Sequence, residues 1–178
     1  MMSMSVARRL SYIGVCLALL IVCAQISIPI WIVPITLQTL AVGLIATVLP
    51  LQLSSAVIAA YLLLGLVGLP VFANFAGGAS VIVGPTGGYL FGFIIYIGIV
   101  HYGLRYFGHS RRVLFSVNLL ASLCQLLIGT LWLRIALHLG WQASFLTGFA
   151  PYVPIEILKS GLIVAVIARL PQRIQQFH

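Results

Sequence analysis

Six long apolar runs order this chain, at approximately 10–28, 35–50, 51–68, 86–107, 113–137 and 152–169. An α-helix needs roughly 20 apolar residues to cross a bilayer, with a range of about 17 to 25, and these runs predict six such helices. The second and third meet at Pro50, which stops one helix and lets the next begin. No internal repeat relates the two halves, so an inverted-repeat transporter design finds no support. The expected architecture is an all-α, multi-pass membrane protein, with residues 1–178 forming a single six-helix transmembrane domain.

Composition strengthens that reading. Of the 178 residues 62% are hydrophobic and 6% charged, and the mean hydropathy is +1.22. The net charge of +8 does not point to nucleic acid, because a basic stripe needs polar surroundings and solvent to face. The arginines act as topology signals instead. Arg8 and Arg9 precede the first helix, Arg105, Arg111 and Arg112 flank the loop between the fourth and fifth, and Arg169 and Arg173 follow the sixth. The positive-inside rule makes that side cytoplasmic, with both termini inside and the uncharged loops 29–34, 69–85 and 138–151 outside. Arg134 is the exception, near the outer end of the fifth helix, where it either snorkels to the interface or pairs with a buried group or ligand. Arg8-Arg9 and the stretch Leu20-Ile-Val-Cys23 resemble a cleaved leader, but Val22 is too large for the residue before such a cysteine, so the first helix is expected to remain. Cys16, Cys23 and Cys124 lie inside apolar runs without metal-ligand or disulfide spacing and read as small core residues.

Against this background the only acidic residue, Glu156, and the only lysine, Lys159, stand out. An ionisable group at mid-bilayer costs about 2.5–3.5 kcal/mol and is normally functional. Pro154 suits the first turn of a helix, which puts Glu156 and Lys159 one turn apart on one face. The helix dipole favours Glu156 there and disfavours Lys159, so the lysine needs a partner: the glutamate or a ligand group. A plain structural ion pair is the alternative, although desolvation cancels much of the attraction in a buried pair. The segment 69–85 is rich in glycine and proline yet apolar, and irregular backbone of that kind is tolerated only when buried or lining a cavity. It is expected to form a buried outer lid between the third and fourth helices. Gly84-Pro-Thr-Gly-Gly88 lacks the lysine and strand of a phosphate-binding loop and reads as a tight turn. Asn74, Gln38, Thr86, Tyr89 and Tyr152 supply further donors and acceptors, and Trp31, Phe72 and Phe75 apolar walls, for a small, largely apolar molecule. Asn74 alone is equally explained as a turn-former, and Trp31 and Tyr152 as interfacial anchors.

Four segments then carry a resemblance. Gln25-Ile-Ser-Ile-Pro-Ile-Trp-Ile-Val-Pro34-Ile-Thr-Leu-Gln38-Thr-Leu40, Gly68-Leu-Pro-Val-Phe-Ala-Asn74, Gly84-Pro-Thr-Gly-Gly-Tyr-Leu-Phe-Gly-Phe93 and Pro154-Ile-Glu-Ile-Leu-Lys159 resemble, in order, hallmark segments of the biotin-specific substrate-binding (S) component of energy-coupling factor (ECF) transporters, the BioY family. The resemblance covers about the whole chain. It implies high-affinity biotin uptake in partnership with a transmembrane coupling protein and two ATPase subunits. It also implies that Asn74, Glu156 and Lys159 hold the biotin head group. Glu156 stands where the family usually has aspartate, adding a methylene while keeping the hydrogen-bonding capacity. A cyclic urea offers two N–H donors to a carboxylate and an amide oxygen, and a carbonyl to an ammonium. Gly14 and Ala18, four apart on the first helix, resemble the small-residue motif that docks the coupling protein, with glycine for the usual alanine; packing inside the bundle is the other reading. No cofactor, metal or catalytic residue is expected. The chain has no Walker A motif, so the energy must come from partners or from facilitated flow. The rivals are a solitary or proton-coupled transporter that uses Glu156 as carrier, and an intramembrane enzyme. The latter lacks GxSxG and HExxH, and Ser160 points to a different part of the helix from Lys159.

Overall fold

A computed structural model describes residues 5–170; Arg173, assigned above to the cytoplasmic flank, lies outside the described residues. Helix α1 (Val6–Gln25) starts on Ser5, whose hydroxyl accepts from the Arg8 backbone N–H, satisfying one of the donors a helix N-terminus leaves open. It buries only Leu20, Cys23 and Ala24. The chain then makes a small antiparallel hairpin, β1 (Ser27–Ile28) against β2 (Ile35–Thr36), before entering α2 (Gln38–Val48). Pro50 caps α3 (Leu51–Leu66) in extended backbone, as its fixed φ favours. After a 3₁₀ turn at Ala73–Phe75 and the short α4 (Ala79–Val83) come α5 (Gly87–Phe107) and α6 (Arg111–Leu137), joined by residues 108–110, then α7 (Trp141–Gly148) and α8 (Val153–Ile167).

Helices α1, α5, α6 and the α7–α8 segment Trp141–Ile167 are each long and apolar enough to cross a membrane. At 11 and 16 residues, α2 and α3 are shorter than the sequence runs implied. With a rise of 1.5 Å per residue they span about 16 and 24 Å, against a hydrocarbon core of about 30 Å. The difference has a local cause. Residues 35 and 36, expected in the second helix, pair in the hairpin, Leu49 and Pro50 are extended, and α3 ends at Leu66, two residues before Gly68 with its φ of 99°. The loop 138–151 likewise holds α7, and 69–85 holds α4, where only irregular chain was expected.

In lipid, helices associate by close packing of small residues and by hydrogen bonds rather than by escape from water. Gly88 and Gly92 on α5 and Gly129 on α6 do this here: a Cβ on Gly92 would sit 2.7 Å from the Gln125 side chain, and one on Gly129 would strike the Tyr89 ring. Beneath them a fully buried polar link joins three helices. Tyr96 donates to Asn118 Oδ1 (3.1 Å), and Asn118 Nδ2 donates to Thr47 Oγ1 (3.3 Å) and the Leu114 carbonyl (2.9 Å). The apolar core of Val42, Ile45, Val57, Tyr61, Phe93 and Val100 surrounds it.

Candidate functional site

Pro154 lies in the first turn of α8, and Glu156 and Lys159 follow on its buried face, 3% and 6% exposed. Lys159 Nζ is 2.6 Å from Glu156 Oε1. Thr39, in the first turn of α2, closes the group: its hydroxyl donates to Glu156 Oε1 (2.9 Å) and accepts from Lys159 Nζ (2.8 Å). Both bonds to the carboxylate reach Oε1; among the described residues none is made to Oε2. A buried charge is tolerated when it is paired and hydrogen-bonded, and this triad meets that condition without using every donor and acceptor it has.

The triad faces a cavity of about 300 Å³, at the low end of small-molecule sites. All seven residues expected at a binding site line it, but not in equal roles. Glu156, Lys159 and Asn74 present polar groups. Asn74 Oδ1 accepts from the Ser27 hydroxyl (2.6 Å), which leaves its amide N–H₂ unbonded among the described residues. Thr86, the residue before α5, makes no side-chain cap. Gln38, Tyr89 and Tyr152 instead turn their polar atoms to the protein. Gln38 accepts from Thr36 (2.8 Å) and donates to the Tyr61 hydroxyl (2.6 Å); Tyr89 donates to the Gly148 carbonyl (2.9 Å); Tyr152 donates to the Val33 carbonyl. Their contribution is to fasten the loops around the cavity. Of the three expected aromatic walls Phe72 lines it, whereas Trp31 and Phe75 are 65% and 70% exposed and do not. Phe75 is in the left-handed region (φ 56°), one residue after Asn74 (φ 58°).

That strained pair is held by Gln25 at the end of α1. Its Nε2 donates to the carbonyls of Val71 (3.4 Å) and Phe72 (3.1 Å), and its Oε1 accepts from the Phe75 backbone N–H (2.9 Å). On the other flank Trp132 Nε1 donates to the Gly84 carbonyl (2.9 Å). Residues 72–74, 76, 80–81 and 84 thus contribute one wall of the cavity.

Sequence reasoning gave no site role to Thr39, although it lies in the first hallmark segment, and missed Gln125. Gln125 lines the cavity, donates to the Tyr89 carbonyl (3.0 Å), and keeps a buried Oε1 without a partner among the described residues. A glutamine in the middle of an apolar membrane run was the available signal. Arg134 does not line the cavity; its guanidinium lies 4.1 Å from the centroid of the Trp141 ring, a cation–π contact. No cluster of three or more His, Cys, Asp or Glu side chains suited to a metal occurs among the described residues.

Comparison with known proteins places these features in a family. A model of the BioY family matches residues 1–176. Biotin transporter BioY2 of Lactococcus lactis subsp. cremoris is 41% identical over 154 residues, covering 86% of this chain and 85% of its own. Biotin transporter BioY of Thermotoga maritima is 41% identical over 167 residues, covering 92% and 94%. In structure, the chain matches the S-component for biotin from an ECF-type ABC transporter with a TM-score of 0.86 at 24% identity, over 94% of both chains. From its sequence match across nearly its whole length, the chain belongs to the BioY family.

Proposed function

We propose that this protein captures biotin from the outer side of the cell membrane and carries it inward as the substrate-binding component of an ECF transporter. The relatives named biotin transporters support the substrate, and the fold shared with a biotin S-component supports a partnership with an energising module. That module comprises a transmembrane coupling protein and two ATPase subunits. The observation that carries the reading is the triad of Thr39, Glu156 and Lys159, the chain's only acid and only lysine, buried beside a cavity that also takes in Asn74. A cyclic urea satisfies what these groups leave open: one of its N–H donors meets Glu156 Oε2 and its carbonyl meets the Lys159 ammonium and the Asn74 amide. Binding without covalent chemistry is then sufficient, and no cofactor is needed. Ser160, the serine adjacent to Lys159 in sequence, does not line the cavity.

The whole chain forms one substrate-binding domain of six membrane helices, α2 and α3 being the short pair. Its arginines put both termini in the cytoplasm, and the segment 69–85 serves as a lid over the outer mouth of the cavity. Gly14 and Ala18 dock the coupling protein. Both are exposed on α1, and a Cβ built on Gly14 meets nothing within 4 Å, which favours a partner over packing inside the bundle.

Calorimetry of purified protein with biotin, joined to a subunit count of the gently solubilised complex, tests the reading. Saturable biotin binding and co-purification of a coupling protein with two ATPases are expected. Absence of biotin binding refutes the substrate, and uptake by the chain alone refutes the partnership in favour of a solitary transporter.

A further inference from the structure

Thr39 has two hydrogen-bonding roles, and its neighbours fix which goes where. A lysine ammonium has only donors and an ionised carboxylate only acceptors, so the Thr39 hydroxyl must accept from Lys159 and give its one hydrogen to Glu156. In the first turn of α2 the Thr39 hydroxyl has no preceding helical turn to bond back to, and it faces α8 from a position only 7% exposed. Two of the three ammonium N–H groups are then directed at Thr39 and Glu156 Oε1. One N–H and the carboxylate Oε2 remain for a ligand.

We propose that Thr39 is a positioning residue that sets the specificity of this site, holding Lys159 and Glu156 so that they present one donor beside one acceptor. Such a pair is the complement of a neutral edge carrying an N–H next to a C=O. It disfavours a bare anion, which meets Oε2, and a bare cation, which meets the ammonium. The inference rests on the biotin reading above and deepens it: the ureido edge is recognised as a neutral unit, and Thr39 aims the lysine at its carbonyl.

The test measures affinity for biotin and for 2-thiobiotin, whose C=S is a poor acceptor, in wild type, Thr39→Val and Thr39→Ser. Wild type is expected to prefer biotin, and Thr39→Ser, which keeps the hydroxyl, to retain that preference. Thr39→Val, equal in volume, is expected to bind biotin roughly tenfold or more weakly, with its preference over 2-thiobiotin moving toward unity. Loss of both ligands in proportion in Thr39→Val would show that the threonine only supports the fold and overturn the proposal, as would wild-type affinity in that variant or equal weakness in Thr39→Ser. Should Thr39→Val yield no folded protein, Thr39→Cys replaces it, its thiol filling similar space while hydrogen-bonding weakly, and must show the same loss of preference. A wild-type protein that binds no biotin overturns the transport reading and this inference with it; every other negative result overturns this inference alone.

Discussion

Replacing Lys159 by methionine separates the lysine's structural role from its functional one. Met keeps the length of the side chain and removes the charge, leaving Glu156, 3% exposed, with Thr39 as its one remaining partner. Breaking a buried ion pair from one side costs about 3–5 kcal/mol, because the surviving charge is stranded. For a chain of this size that corresponds to a fall in melting temperature of roughly 6–20 °C. The double variant Glu156→Gln/Lys159→Met carries no stranded charge, and its glutamine can still bond Thr39. It should recover most of the lost stability, since neutral replacement of a buried pair is often close to neutral. Binding should not recover. A single hydrogen bond to a charged group is worth about 1.5–3 kcal/mol, or roughly 10- to 150-fold in affinity, and the double variant removes both charged partners of the ligand. Thermal unfolding in detergent with and without biotin, alongside calorimetry, reads both quantities. A double variant as unstable as Lys159→Met alone would refute the stranded-charge argument. Wild-type biotin affinity in either would remove the pair from the site.

Three further outcomes are expected. Gly65→Ala drives a Cβ into the Phe72 ring, which is 2% exposed and packs edge-on against Tyr61 at 5.3 Å; it should cost about 1–3 kcal/mol in melting experiments and weaken biotin, and unchanged melting would contradict the packing. A cysteine at Ala76, in a background without the native cysteines, should react with a polar thiol reagent added outside, and more slowly with biotin bound; labelling only from the cytoplasmic side would overturn the topology, and labelling indifferent to biotin the lid. Gly14→Trp or Ala18→Trp should leave biotin binding intact while abolishing co-purification with the coupling protein; loss of folding would instead place that face inside the bundle.

The long helices whose ends carry chemical punctuation were legible. Pro50, the arginine-flanked turn at 105–112 and Pro154 all mark boundaries, so the expected 86–107 and 152–169 became Gly87–Phe107 and Val153–Ile167. The hairpin was not legible, since two-residue strands have no period to detect. The same division holds in the site. Glu156 and Lys159 announce themselves as charges in an apolar run, whereas Thr39 matters only because α2 packs against α8, bringing together residues 117 and 120 positions apart. Pattern gives the face a helix presents but not the helix it meets, and so it could place Gln38 at the cavity without showing that its amide is engaged with Tyr61. Trp31 and Phe75 failed for a related reason: an aromatic in an irregular segment takes its direction from backbone torsions that sequence does not reveal.

The Gln25 clamp makes α1 a lever. The helix packs Tyr12, Ile13, Cys16, Leu17 and Ile21 partly against the core and fully buries only Leu20, Cys23 and Ala24, and just beyond them one amide grips the backbone on both sides of Asn74. Force applied on its exposed face, where Gly14 and Ala18 sit, is therefore delivered to a turn held in the left-handed region by Asn74, which tolerates it, and by Phe75, at a cost of about 1–2 kcal/mol. By reciprocity, whatever free energy a partner on α1 contributes to opening the turn, a ligand held by Asn74 returns as a change in how firmly that partner is bound. On the proposed docking at Gly14 and Ala18, a coupling protein would sense an occupied cavity through this turn without ever reaching the ligand.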